Sequence, residues 1–196
     1  MTLPSPRPLV TAAASGDRLY VFGGSTTATP PLANATDVLL DEIVAVGLSP
    51  DSATVVGRLP EPLMGACAVT RGDGTILVVG GAHYAGSGAM LALEPVDSVL
   101  VFDPATAQVT ASAARLAQPR VGLACAIGPD DRVYLFGGAG PSFAPTADDA
   151  QLLPARPGQS MRELVYPRHL QLSCSAVDGG TLLALAALFY LGDLWG

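Results

Sequence analysis

The chain contains no lysine, and all ten of its basic residues are arginines. Against seventeen acids they leave a net charge of −7, which excludes the basic stripe a nucleic-acid backbone needs. The same balance is unsuited to an anionic lipid surface. Long apolar runs are also missing. The longest, residues 180–190, is well short of the ~20 residues of a spanning helix, so no membrane segment is expected. Prolines interrupt the first residues where an export signal needs a continuous apolar core, so nothing marks the chain for export. No C-x-x-C or H-x-x-x-H pairing occurs, and neither a metal nor any other cofactor is expected. Only two histidines are present, His83 and His169, and neither they nor any serine or cysteine falls at a catalytic spacing.

What the chain does hold is apolar content, 49% of its residues, broken into short runs by Gly, Pro, Asn and Asp. That is the pattern of many short strands. Three runs end in a glycine pair: RLYVFGG at 18–24, ILVVGG at 76–81 and RVYLFGG at 132–138. Gly23 to Gly80 and Gly80 to Gly137 are both 57 residues, with Gly24, Gly81 and Gly138 completing the pairs. A fourth copy, GTLLALAA at 180–187, carries Ala186 and Ala187 in their place. A fixed period near fifty residues, built from strands, signals a repeat architecture.

Each copy repeats more than its glycines. An upstream strand precedes the pair: LVTAAA at 9–14, GACAV at 65–69, LACAI at 123–127 and LSCSAV at 172–177. After the pair comes a loop, then an acid opening a third strand, at Asp41, Asp97, Asp149 and Asp193. A weaker fourth strand follows, such as 53–57 or 108–113, and then Pro62, Pro119 or Pro167 leads into the next copy. Cys67, Cys125 and Cys174 stand 13, 12 and 12 residues before Gly80, Gly137 and Ala186, and Thr11 takes that place in the first copy. Read as one repeated position, they are small core residues with unpaired thiols, which fits a reducing, cytoplasmic setting. A redox or metal role is the other reading of the three.

Four antiparallel strands per unit at this spacing resemble the kelch family of β-propellers. The motifs that carry the likeness are the PR-x-G lead-in at 119–122, the strand ending in a glycine pair, and GDLW at 192–195. The tryptophan usual in the fourth strand is missing from every complete copy. The resemblance implies an all-β fold of kelch-type propeller blades, each a four-stranded antiparallel sheet, in a single domain over 1–196. The blades fall at about 7–57, 63–114 and 120–166, with a partial blade at 168–196. About three and a half blades make an incomplete ring, whose open blade edges favour self-association. In the fourth copy Ala186 and Ala187 cannot take positive φ cheaply, so a distorted turn is expected there.

Strand alternation gathers the glycine-pair loops, the starts of the third strands and the proline links on one face. Those loops (25–40, 82–96 and 139–148) are the long ones, and long loops on a rigid scaffold are the usual binding surface. The same face collects Arg7, Arg120 and Arg168 beside the inner strands, together with His83 and Tyr84. In kelch adaptors of ubiquitin ligases, arginines at the PR-x-G position contact acidic peptide segments, which would give this chain a protein partner of that kind. The arginines could instead be solvated or pair with Asp41, Asp97 and Asp149, and the aspartates could cap turns through their own backbone. The expected function is therefore a non-enzymatic kelch scaffold for protein–protein interaction. A fragment of a sugar-acting kelch enzyme, of the sialate epimerase type, is the alternative, as is a truncated chain without independent activity. The metal cluster of the copper–radical oxidases that share this fold has no counterpart in these residues.

Overall fold

The computed structural model describes residues 3–26, 39–48, 51–86, 92–128, 132–143, 149–153 and 162–165. The fourth copy, with Arg168, His169, Cys174, Ala186, Ala187, Asp193 and Trp195, lies outside the described residues, as does its expected distorted turn. Three four-stranded antiparallel sheets form the blades. Blade 1 holds β1 (Thr11–Ser15), β2 (Arg18–Phe22), β3 (Glu42–Leu48) and β4 (Asp51–Arg58) in that order. Blade 2 holds β5 (Cys67–Thr70) and β6 (Ile76–Val79). A separate hairpin of β7 (Ala82–Ala85) and β8 (Ala92–Pro95) follows, and then β9 (Val99–Asp103) and β10 (Gln108–Ala111) complete the blade. Blade 3 runs through β11 (Ala124–Ile127), β12 (Val133–Phe136), β13 (Asp149–Leu153) and β14 (Arg162–Val165). The fold is all-β and propeller-like, and in the first three copies the strand, the glycine pair and the third strand fall where the repeat puts them.

The blades stack because their middle strands are apolar on both faces. On β6 all four residues of ILVV are buried. Ile76 and Val78 join Leu100 and Phe102 in packing against Tyr20, Phe22 and Ile43 of blade 1. Leu77, Val79 and Val99 turn the other way, onto Leu123, Val133 and Leu135 of blade 3. A strand buried on both faces reads as a continuous apolar run. The blade 1–2 interface is aromatic: Phe102 meets Tyr20 at a centroid distance of 5.2 Å and Phe22 at 5.5 Å. On the opposite face of blade 1, Val21, Val44 and Val46 form a small third cluster, beside which Leu19 and Val55 remain exposed.

The first two glycine pairs clasp blade 1 to blade 2 and blade 2 to blade 3. Gly24 donates its N–H to the carbonyl of Leu63 at 2.9 Å, and Gly81 donates to that of Arg120 at 2.7 Å. A β-carbon on Gly23 would stand 2.1 Å from the Leu63 carbonyl oxygen, which only glycine permits. A second chain of bonds runs closer to the inner strands: Gly65 N–H to Leu9 O at 2.8 Å and Gly122 N–H to Gly65 O at 2.7 Å. Leu9, Gly65 and Gly122 share a left-handed φ of 60°, 61° and 68°. By spacing, Leu9 and Leu123 stand 14 residues before Gly23 and Gly137, whereas the backbone makes Leu9 the counterpart of Gly122. The lead-in to β1 is one residue out of step with that spacing.

Candidate functional site

On the glycine-pair face each lead-in is held the same way. Met64 and Ala82 exchange backbone bonds at 3.0 and 2.8 Å, as do Val121 and Ala139 at 2.9 and 2.8 Å. In blade 1 the corresponding residue is Pro8, which has no N–H, so the one bond is from Ser25 N–H to Pro8 O at 2.9 Å. These bonds make Arg7, Leu63 and Arg120 equivalent positions, one residue before Pro8, Met64 and Val121. All three are buried. The leucine in the middle copy shows why: the site is an apolar slot beside the glycine pair, and an arginine fills it with its methylene stem.

The two arginines therefore sit inside and do not line an open rim. The Arg7 side chain is wholly buried and its Nη2 is bound to the carboxylate of Glu42, the first residue of β3. Arg120 donates from Nη1 to the carbonyl of Gly137 at 3.3 Å and is only 1% exposed. Both guanidinium groups are committed within the fold, so the expected docking of an acidic segment on Arg7 and Arg120 is corrected: burial removes them from a partner's reach. Arg168 lies outside the described residues.

Asp41 and Asp97 pair with arginines of their own blades and do not serve only as caps, while the side chain of Asp149 lies outside the described residues. Asp41 takes a hydrogen bond from Arg58 Nη1 at 2.5 Å, and Asp97 lies 3.7 Å from Arg115 Nη1. Leu59 and Leu116, the residues after these arginines, each donate a backbone N–H to the same aspartate's carbonyl, at 2.6 and 2.9 Å. The acid just before the third strand and the arginine at or beyond the end of the fourth thus form a repeated ion pair, written in the sequence as a recurring D…RL that only comparison of two copies at both ends could reveal.

His83 and Tyr84 do remain at the surface of the face, on β7, directly after the glycine pair and Ala82. The hairpin itself was not anticipated, because AHYA and ALEP are too short and mixed to signal strands. His83 Nδ1 lies 2.6 Å from Glu61 Oε2. Glu61 comes from the link between blades 1 and 2, where Pro60 and Pro62 restrict the backbone on either side. With Leu39, these four residues (Glu61, Pro62, His83 and Tyr84) line a cleft of about 270 Å³ at the junction of the two blades. Sequence reasoning missed Glu61, since nothing local distinguishes it; its role comes from β7 folding back against the link. The carboxylate fixes the imidazole ring and leaves its other nitrogen to other partners. On the far side of the hairpin, β8 touches the 3-10 turn Pro141–Phe143 of blade 3. Among the described residues, no group of three or more His, Cys, Asp or Glu side chains could hold a metal ion. Among them, too, no helix is long and apolar enough to cross a membrane.

The cysteines depart furthest from expectation. Cys67 and Cys125 are joined by a disulfide, with their α-carbons 6.0 Å apart. The reading of three unpaired thiols in one repeated position is corrected, and the argument for a reducing compartment loses its basis.

No known family's sequence pattern matches this chain, and no curated protein matches it. Among solved structures, one described as "Structure of YjhT" aligns with a TM-score of 0.64 at 18% identity, over 82% of this chain and 52% of that one. The chain spans about half the length of that structure. A likeness at this identity concerns the fold, and it agrees with the propeller-like arrangement of the three sheets.

Proposed function

We propose that this chain is a kelch-type propeller scaffold that docks a protein partner on its glycine-pair face, at the cleft between blades 1 and 2. The observation that carries the reading is the cleft's composition. An aromatic side chain, an imidazole held by Glu61, and the apolar walls of Leu39 and Pro62 stand together on a rim fixed by interblade hydrogen bonds. Aromatic anchors beside a few oriented polar groups are what protein interfaces concentrate. With Arg7 and Arg120 inside the fold, and Arg58 and Arg115 paired with Asp41 and Asp97, an acidic segment finds no cluster of unengaged arginines among these four. Recognition then rests on Tyr84, His83 and Glu61.

Affinity capture with immobilised wild-type chain and with Tyr84→Ala and His83→Ala variants tests this. A partner retained by the wild type and lost from both variants, with circular dichroism unchanged, supports the reading. Equal capture by all three overturns it.

One feature favours the alternative of a sugar-acting kelch enzyme: a carboxylate-oriented imidazole facing a cleft is also how a general base is prepared. That reading requires turnover of sialic or hexose substrates that disappears in Glu61→Gln as well as in His83→Ala.

A further inference from the structure

Cys67 and Cys125 face each other because their registers differ by one residue. Cys67 pairs with Val79, the residue immediately before Gly80, whereas Cys125 pairs with Leu135, two residues before Gly137. Side chains alternate along a strand, so a one-residue offset turns them to opposite faces. Cys67 on β5 looks toward blade 3 and Cys125 on β11 looks back toward blade 2, both in the cluster around Val79, Leu123 and Leu135. Two cysteines in truly identical positions would have pointed the same way around the stack and could not have met. The 6.0 Å between their α-carbons is within the span of a disulfide.

We propose that Cys67 and Cys125 form a reversible thiol–disulfide modification site that sets how firmly blade 3 is held to blade 2. The two interblade contacts are built differently. Between blades 1 and 2 stand Tyr20, Phe22 and Phe102, reinforced by Thr70 Oγ1–H to Ala14 O at 2.5 Å and Ser15 Oγ–H to Gly74 O at 2.7 Å. The buried cluster between blades 2 and 3 holds valines, leucines and Cys67, with no aromatic ring. The covalent link occurs at the interface that lacks the aromatic contacts, and it closes a loop of 58 residues. Removing that link frees a long stretch of chain in the unfolded state and takes away the covalent tie between β5 and β11.

The chemistry is a two-step exchange. One cysteine thiolate attacks a sulfur of oxidised glutathione, releasing one glutathione thiol and leaving a mixed disulfide. The second cysteine thiolate then displaces the remaining glutathione, so that two electrons and two protons end on two glutathione molecules. Excess thiol reverses both steps. Blades 2 and 3 are therefore stapled in an oxidising compartment and joined by apolar packing and backbone bonds in a reducing one. Cys174, the third cysteine of the sequence, lies outside the described residues.

The test is thiol counting by alkylation, peptide mapping and amide hydrogen exchange on the whole chain, after oxidised glutathione and again after dithiothreitol. The expected oxidised form has one alkylatable thiol, at Cys174, and a cross-linked peptide pair containing Cys67 and Cys125. Reduction is expected to speed exchange in β5, β11 and β12 by about tenfold or more while β1 to β3 stay unchanged. The Cys125→Ser variant should show the fast pattern whatever the glutathione state. Three alkylatable thiols after oxidation, a cross-link through Cys174, or exchange that ignores reduction would each overturn the proposal.

Discussion

A β-carbon on Gly80 would stand 2.6 Å from the carbonyl oxygen of Arg120, and the N–H of the next residue, Gly81, is bonded to that same oxygen. The glycine pair is thus a contact with the following blade as much as a turn within its own. Equivalent bonds from Gly24 to Leu63 make it a repeated device.

This separates two costs that glycine substitutions usually mix. Gly16, Gly23 and Gly80 have the same left-handed φ, between 57° and 61°, but a β-carbon on Gly16 meets nothing within 4 Å. Gly16→Ala should therefore lose only the left-handed strain, about 1–2 kcal/mol. Gly80→Ala adds a clash with backbone that cannot rotate away, and its loss in urea unfolding should be at least twice as large. Equal losses would show that the interblade approach does not need a bare α-carbon.

Arg7 and Arg58 both reach Glu42, one from inside and one from solvent. Removing Arg7 leaves its carboxylate partner without the buried cation, and Arg7→Ala should cost about 3 kcal/mol. Arg58 is exposed, and Arg58→Ala should cost less than about 1 kcal/mol. Equilibrium unfolding of the two variants ranks them. A reversed order would contradict the assignment of Arg7 to the interior.

The parity rule behind the disulfide can be moved to the other interface. Thr11 pairs with Phe22, immediately before Gly23, and so has the register of Cys67; Ala68 pairs with Val78 and has that of Cys125. The double variant Thr11→Cys/Ala68→Cys should form a second disulfide on oxidation, seen as the loss of two further thiols by mass. Ala12→Cys/Ala68→Cys, with the parity broken, should remain reduced. Efficient cross-linking of that control would mean that register does not decide the pairing.

Much of the fold was legible because a propeller repeats its physics along the chain. Each copy needs an apolar strand buried on both faces, a residue without a β-carbon where the next blade's backbone approaches, and a proline-led return. All three requirements leave marks at a fixed period. The hairpin β7–β8 left none, since its eight residues carry no alternation and form a ladder only because Ala82 is already held by Met64. For the site, His83 and Tyr84 could be placed on the right face by counting strands. Glu61 could not, as its distance from His83 in sequence says nothing about the link folding beside β7.

The sequence by itself determined the period, the strand order within the first three copies and the close approach at the first two glycine pairs. All of these are local in sequence or repeat with it. Tertiary structure decided which way three kinds of side chain point. It drew the lead-in arginines into an apolar slot, matched Asp41 and Asp97 with arginines of their own blades, and turned Cys67 toward Cys125. The difference between 13 and 12 residues was present in the sequence throughout. It became a bond only because β5 and β11 lie side by side, where one residue of register decides whether two side chains meet or look away.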